Sequence, residues 1–168
     1  KDEKALLAAF GKFMSQVSSA DHLFWCGDDQ RLRALQPGGI SYGFGPSNGL
    51  RAESFRQSGW KVVFDAYFNG KRYEGVEVSL TGRHNALNAL AVFGLALSLG
   101  IGENKVREGL RTFGGVNRRC EKVGETHGIL LLDDYAHHPT EIKATLKAIR
   151  SAIGARRLIA VFQPHRYS

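Results

Sequence analysis

Asp133-Asp134-Tyr135-Ala136-His137-His138-Pro139-Thr140-Glu141 follows directly on the apolar run Gly128-Ile129-Leu130-Leu131-Leu132, and a helical pattern over residues 141–153 comes next. Seven ionisable or hydroxyl-bearing side chains thus crowd the end of a predicted buried strand. In an open α/β sheet, ligands bind beyond the carboxyl ends of the strands. A plain helix start, at Pro139 or Thr140, would explain Pro139, Thr140 and Glu141, because first turns favour proline, hydroxyls and acids. It does not explain the paired aspartates and paired histidines, so a functional site is expected here.

Working outward, the segment after residue 117 reads β-β-α-β, with strands at 120–123, 129–132 and 158–162 around the helix at 141–153. The last two strands flank one helix and are expected to lie parallel with a right-handed crossover. Three strands cannot be covered by helices on both faces, so the unit reads as the opening of a larger nucleotide-binding type of domain. The linker Gly114-Gly115-Val116-Asn117 precedes it, and a domain boundary is expected there, dividing the chain into residues 1–116 and 117–168.

Upstream the pattern is also α/β. Residues 2–17 carry Leu6, Leu7, Phe10, Phe13, Met14 and Val17 at helical spacing, which predicts an amphipathic helix with a stripe buried in the core. A short strand is expected at 22–26 and a helix at 29–35, ended by Pro37-Gly38-Gly39. Residues 60–68 are strand-like, and Asn69-Gly70 is a two-residue hairpin signal that needs positive φ at both positions. Residues 71–80 pair back, giving an antiparallel segment. A long helix is expected over 84–99 with a stripe of Leu87, Leu90, Ala91, Leu95 and Leu97, stopped by Gly100, and a shorter one over 103–113.

With 168 residues, 43% of them hydrophobic, the chain can bury a real core. No apolar run is long enough to span a bilayer, and Lys1-Asp2-Glu3-Lys4 has no secretory pattern. Cys26 and Cys120 stand far apart without metal-ligand spacing and read as reduced thiols of a cytoplasmic protein. A net charge of +7 permits nucleic-acid binding but equally suits a polyphosphate substrate. The basic residues are scattered, so neither a nucleic-acid nor a membrane partner is expected.

Three further groups carry chemistry. Gly82-Arg83-His84-Asn85-Ala86-Leu87-Asn88 opens the long helix, where free N–H groups attract anions. Asn85 and Asn88, three apart, share a face and can read a purine edge, though an asparagine cap beside a packed histidine fits the same spacing. Arg118-Arg119 offers bidentate phosphate donors, or a solvated surface pair. Adjacent histidines diverge in a loop, so His137-His138 is not expected to hold zinc, and no metal ligand is assigned. The chain has no Gly-x-x-x-x-Gly-Lys-Ser/Thr loop.

Taken in order, Gly82 to Ala91, then Phe113-Gly114-Gly115-Val116-Asn117-Arg118-Arg119, then Asp133 to Ile142, then Phe162-Gln163-Pro164-His165-Arg166-Tyr167-Ser168 resemble the Mur ligases, the ATP-dependent amide-forming enzymes of peptidoglycan synthesis. The resemblance implies the later part of a P-loop-type central ATPase domain, containing an antiparallel β segment, followed by the first β-β-α-β portion of a Rossmann-like C-terminal domain. It implies ATP and Mg2+, with the P-loop and the magnesium ligands expected upstream of Lys1, so that these residues alone would be inactive. The form of the last two motifs points to the branch that joins L-alanine to UDP-N-acetylmuramate. The alternatives are the branch that recycles a murein tripeptide, or a non-catalytic adenine-nucleotide or nucleic-acid binding module. By resemblance, His84, Asn85, Asn88, Arg119 and Asp134 bind the cofactor: Asn85 and Asn88 contact adenine, Arg119 reaches the ATP phosphates, and Asp134 binds ribose. Tyr135, His137 and Arg166 match positions near the incoming amino acid, with Arg119, His137 and Tyr135 the catalytic candidates. Cys120 departs from the family's usual phenylalanine, which is a packing change.

Overall fold

The computed structural model describes residues 2–35 and 37–164. Five strands form one mixed sheet in chain order: β1 (Phe24–Cys26), β2 (Ile40–Gly43), β3 (Leu50–Ser58), β4 (Lys61–Phe68) and β5 (Lys71–Val78). The first three run parallel and the last three antiparallel. Asn69 and Gly70 have φ of 50° and 75°, the geometry expected of the β4–β5 hairpin. In β4, Val62, Phe64, Ala66 and Phe68 alternate onto one face and are almost wholly buried.

Helix α3 (Arg83–Ser98) covers that face. Its buried side is Ala86, Ala89, Leu90, Phe93 and Gly94, not the stripe expected from the sequence, and only Leu90 is common to both. The helix is apolar on most sides, so periodicity could not choose the inward face. Close approach chose it: a Cβ at Gly94 would collide with the Leu50 side chain of β3. Helix α4 (Glu103–Thr112) adds Val106 and Leu110 to the same core.

Two expectations fail at the ends of the chain. Helix α1 (Glu3–Met14) forms but buries no residue, and Leu6, Phe10 and Phe13 are 56%, 45% and 67% exposed. No described element lies over the stripe. The strand expected at 158–162 is absent, and Ile159, Val161 and Phe162 are exposed. An extended run gains ladder hydrogen bonds only beside a partner, and none of the described strands pairs with it. What does form is an antiparallel pair, β6 (Glu121–Thr126) and β7 (Ile129–Asp133), turned by His127 and Gly128 at φ of 47° and 74°. Helix α5 (Pro139–Ile153) follows. The short helix α2 (Gln30–Ala34) lies between β1 and β2.

Candidate functional site

Three chain segments converge where α3 begins. The first is Gly82, the N-cap of α3, with φ 95° and ψ 149°. A Cβ there would lie 2.7 Å from that of Ala148 in α5. The Gly82 N–H donates to Gln57 Oε1 at 3.1 Å, while Gln57 Nε2 donates to Ala148 O at 2.9 Å and to Thr81 Oγ1 at 2.6 Å. This amide joins β3, α3 and α5 at one point. The sequence carried no signal for it, because Gln57 and Ala148 are 91 residues apart. Asn85 is fixed by its own bond, Nδ2 to Thr81 O at 2.8 Å.

The second segment is the turn before β6. Arg118 and Cys120 both have positive φ, 59° and 52°. The Arg118 N–H donates to Glu121 at 2.7 Å and the Arg119 N–H to Val116 O at 3.1 Å. Arg119 is left half-exposed, with Nη1 3.7 Å from Glu141 Oε1.

The third segment is the polar loop after β7. Asp134 Oδ2 accepts from the Cys120 N–H at 2.7 Å and Oδ1 from the Ala136 N–H at 2.8 Å. Its carboxylate therefore ties this loop to the Arg119 turn. His138, not Pro139 or Thr140, is the N-cap of α5: its side chain accepts from Thr140 N–H and Glu141 reaches back to the cap N–H, with Pro139 in the first turn. One of the paired histidines is thus explained by helix capping.

Between these segments lies a cleft of about 540 Å³. His84, Asn85, Asn88, Arg119 and Asp134 all line it, and Leu80, Phe113 and Val116 supply apolar wall. Burial pushes the His84 pKa down, the Arg119 charge adds to this, and Asp134 opposes it. The ring is held in its neutral form. The Cys120 thiol is pushed up to about 11 by burial and by the Asp134 charge, so it stays protonated and does not act as a nucleophile.

Tyr135 and His137 stand apart from this cleft. Their rings meet edge to face at 5.3 Å, and the Arg118 guanidinium lies 5.0 Å from the Tyr135 ring centroid. His137 Nδ1 is 3.1 Å from Tyr135 O and 3.9 Å from Glu141 Oε2. Glu141 links the two groups: one oxygen faces Arg119, the other the N–H groups of His137 and His138. Those N–H groups, His138 first, hold its carboxyl below the usual range. Arg166 lies outside the described residues.

Residues 1–96 match the family profile of the Mur ligase middle domain, and residues 118–167 that of the Mur ligase glutamate ligase domain. The chain belongs to the Mur ligase family. The cleft takes residues from both matched Mur ligase segments, His84, Asn85 and Asn88 from one, Arg119 and Asp134 from the other. Among relatives, the UDP-N-acetylmuramate–L-alanine ligase of Protochlamydia amoebophila is 52% identical over 99% of this chain and 37% of its own length. That of Nitratidesulfovibrio vulgaris strain DP4 is 45% identical over the same shares. The chain thus spans little more than a third of these curated relatives. The crystal structure of the UDP-N-acetylmuramate-alanine ligase MurC from Thermotoga maritima superposes with a TM-score of 0.78, at 30% identity, over 90% of this chain and 34% of that one. MurF from Acinetobacter baumannii shares the Mur ligase fold at a TM-score of 0.75 and 18% identity, over 89% of this chain and 34% of that one. No described helix is long and apolar enough to cross a membrane.

Proposed function

We propose that this chain carries the adenosine-binding and amine-facing part of a ligase that joins L-alanine to UDP-N-acetylmuramate at the expense of ATP. The observation that carries this is the convergence of His84, Asn85, Asn88, Arg119 and Asp134, drawn from both family-matched segments, on one cleft. The names of the relatives support the choice of substrates.

The cleft suits a nucleotide. About 540 Å³ falls within the ~300–1,000 Å³ usual for small-molecule sites. Leu80, Phe113 and Val116 offer a flat base apolar contact, and Asn85 and Asn88 offer amides to its edge. Asp134 Oδ2 accepts the Cys120 N–H and, at 3.4 Å, the Thr145 hydroxyl, whereas Oδ1 accepts the Ala136 N–H and keeps a second lone pair for a ribose hydroxyl. Arg119 stands at the same wall with its guanidinium half-exposed, able to meet phosphate oxygens. Magnesium is different: the described residues gather no group of three His, Cys, Asp or Glu side chains able to hold a metal. No step is assigned to one here.

ATP supplies the phosphoryl group. The muramoyl carboxylate takes the γ-phosphate to give an acyl phosphate, and ADP leaves. The neutral amine of L-alanine then attacks the acyl carbon, phosphate leaves, and one amine proton is lost. Arg119 stabilises the negative charge spread over the phosphate oxygens. His137 and Tyr135 orient the amine or accept its proton, and Arg166 holds the alanine carboxylate.

The complete ligase polypeptide, given UDP-N-acetylmuramate, L-alanine and ATP, is expected to form one amide for each ADP and phosphate released. Amide formation with a tripeptide but not with free L-alanine would assign the chain to the recycling branch. ATP binding without any amide product would reduce it to a nucleotide-binding module.

A further inference from the structure

The two family-matched segments meet at one small polar joint. Of the residues of α5, Ala148 and Ile149 alone are buried. Among the described residues, both side-chain hydrogen bonds from the first segment to α5 end on Ala148 O, from Gln57 Nε2 at 2.9 Å and from Thr81 Oγ1 at 3.3 Å. Open space surrounds the joint: the nucleotide cleft and two further concavities, of about 310 and 320 Å³, are each lined by residues of both segments. A contact this small leaves relative motion of the two segments as the default.

Gln57 is the centre of the joint. Its Oε1 accepts the Gly82 N–H at 3.1 Å, and its Nε2 donates to Ala148 O, to Thr81 Oγ1 at 2.6 Å and to Gly59 O at 3.1 Å. One side-chain head must therefore accept on the α3 side and donate on the α5 side, and an uncharged amide does both. The joint is coupled to the cleft through one turn of chain in each direction. Thr81 O holds the Asn85 amide at 2.8 Å, four residues along. On α5, Thr145 stands three residues before Ala148, and its hydroxyl reaches Asp134 Oδ2 at 3.4 Å. Asn85 and Asp134 line the cleft from different segments, and each is tied to the same amide.

We infer that Gln57 is a positioning residue of the ligase: it clamps α5 to the start of α3 and so holds the two walls of the nucleotide cleft at the separation that fits ATP. This rests on the ligase reading above. Without the clamp the walls part in the free protein, and affinity falls in proportion to the closed fraction. A bound nucleotide, gripped from both segments, restores the closed form, so turnover at saturating ATP is kept.

The test uses the complete ligase polypeptide with Gln57→Met, which keeps the length of the side chain and removes both its donor and its acceptor. The KM for ATP is expected to rise roughly tenfold, the scale of one lost buried hydrogen-bonding group, with kcat held within about twofold. A non-hydrolysable ATP analogue, titrated calorimetrically, should lose affinity by the same factor. Spin labels carried by unnatural amino acids at Asn104 in α4 and Ser151 in α5, both exposed, report the separation of the segments. Their distance distribution should broaden in the nucleotide-free variant and narrow again at saturating analogue. Thr81→Val, which removes the partner hydroxyl and leaves the Thr81 carbonyl on Asn85, should move the same quantities in the same direction, and it decides the matter if Gln57→Met does not fold. A fall in kcat at unchanged KM, the mark of a smaller active fraction, would overturn the proposal, as would distance distributions that match the parent. A parent that makes no amide, with variants that still lose analogue affinity and broaden, would sink the ligase reading and leave the clamp standing.

Discussion

Replacing Arg119 with alanine in the complete ligase is expected to lower kcat by ~10²–10³-fold, the loss typical of removing one donor aimed at developing charge. The thermal midpoint should barely move. Arg119 is 54% exposed, and its acidic partner among the described residues, Glu141 at 3.7 Å, is 39% exposed. A pair so solvated contributes ~0–1 kcal/mol to folding, so the guanidinium is spared for another task. Arg119→Lys keeps the charge but loses the planar fork, and should recover only part of the rate. Steady-state kinetics with a matched melting curve check this. Unchanged kcat in the alanine variant would remove Arg119 from the mechanism.

Gly82→Ala is expected to destabilise the protein by roughly 2–6 kcal/mol, by two additive routes. A φ of 95° with ψ of 149° belongs to a region open almost only to glycine, at a cost of about 1–3 kcal/mol for other residues. The new Cβ also meets that of Ala148 at 2.7 Å, and such overpacking costs typically ~1–3 kcal/mol. For a chain of this size, each kcal/mol shifts the midpoint by about 2–4 °C. Relief requires α5 to retreat from α3, breaking the Gln57 bonds to Ala148 and Gly82 and opening the nucleotide cleft. Gly100→Ala is the control: φ is 78°, but nothing lies within 4 Å of its Cβ, so only the backbone cost remains. Melting curves that place Gly82→Ala level with Gly100→Ala would show that the close approach of α5 carries no stability.

The sequence disclosed the residues that line the cleft better than it disclosed the architecture. Its five lining candidates announce themselves by residue type beside helix starts and strand ends, and such signals are local. The joint that brings them together is not local. Gln57 looks like any strand glutamine until Ala148 is folded against it. The two misplaced apolar features, the α1 stripe and residues 158–162, share one cause. Periodicity reports that a face wants to be covered, and it is silent on whether the cover is present. Likewise the paired histidines suggested two functional groups, whereas backbone geometry at the start of α5 uses His138 as a cap.

The most direct measurement is a crystal structure of the complete ligase bound to a non-hydrolysable ATP analogue. The adenine is expected between Asn88 and the Phe113–Val116 wall, with a ribose hydroxyl within hydrogen-bonding distance of Asp134 and a phosphate oxygen within reach of Arg119. An analogue seated on another face, with these side chains turned away from it, would contradict the account.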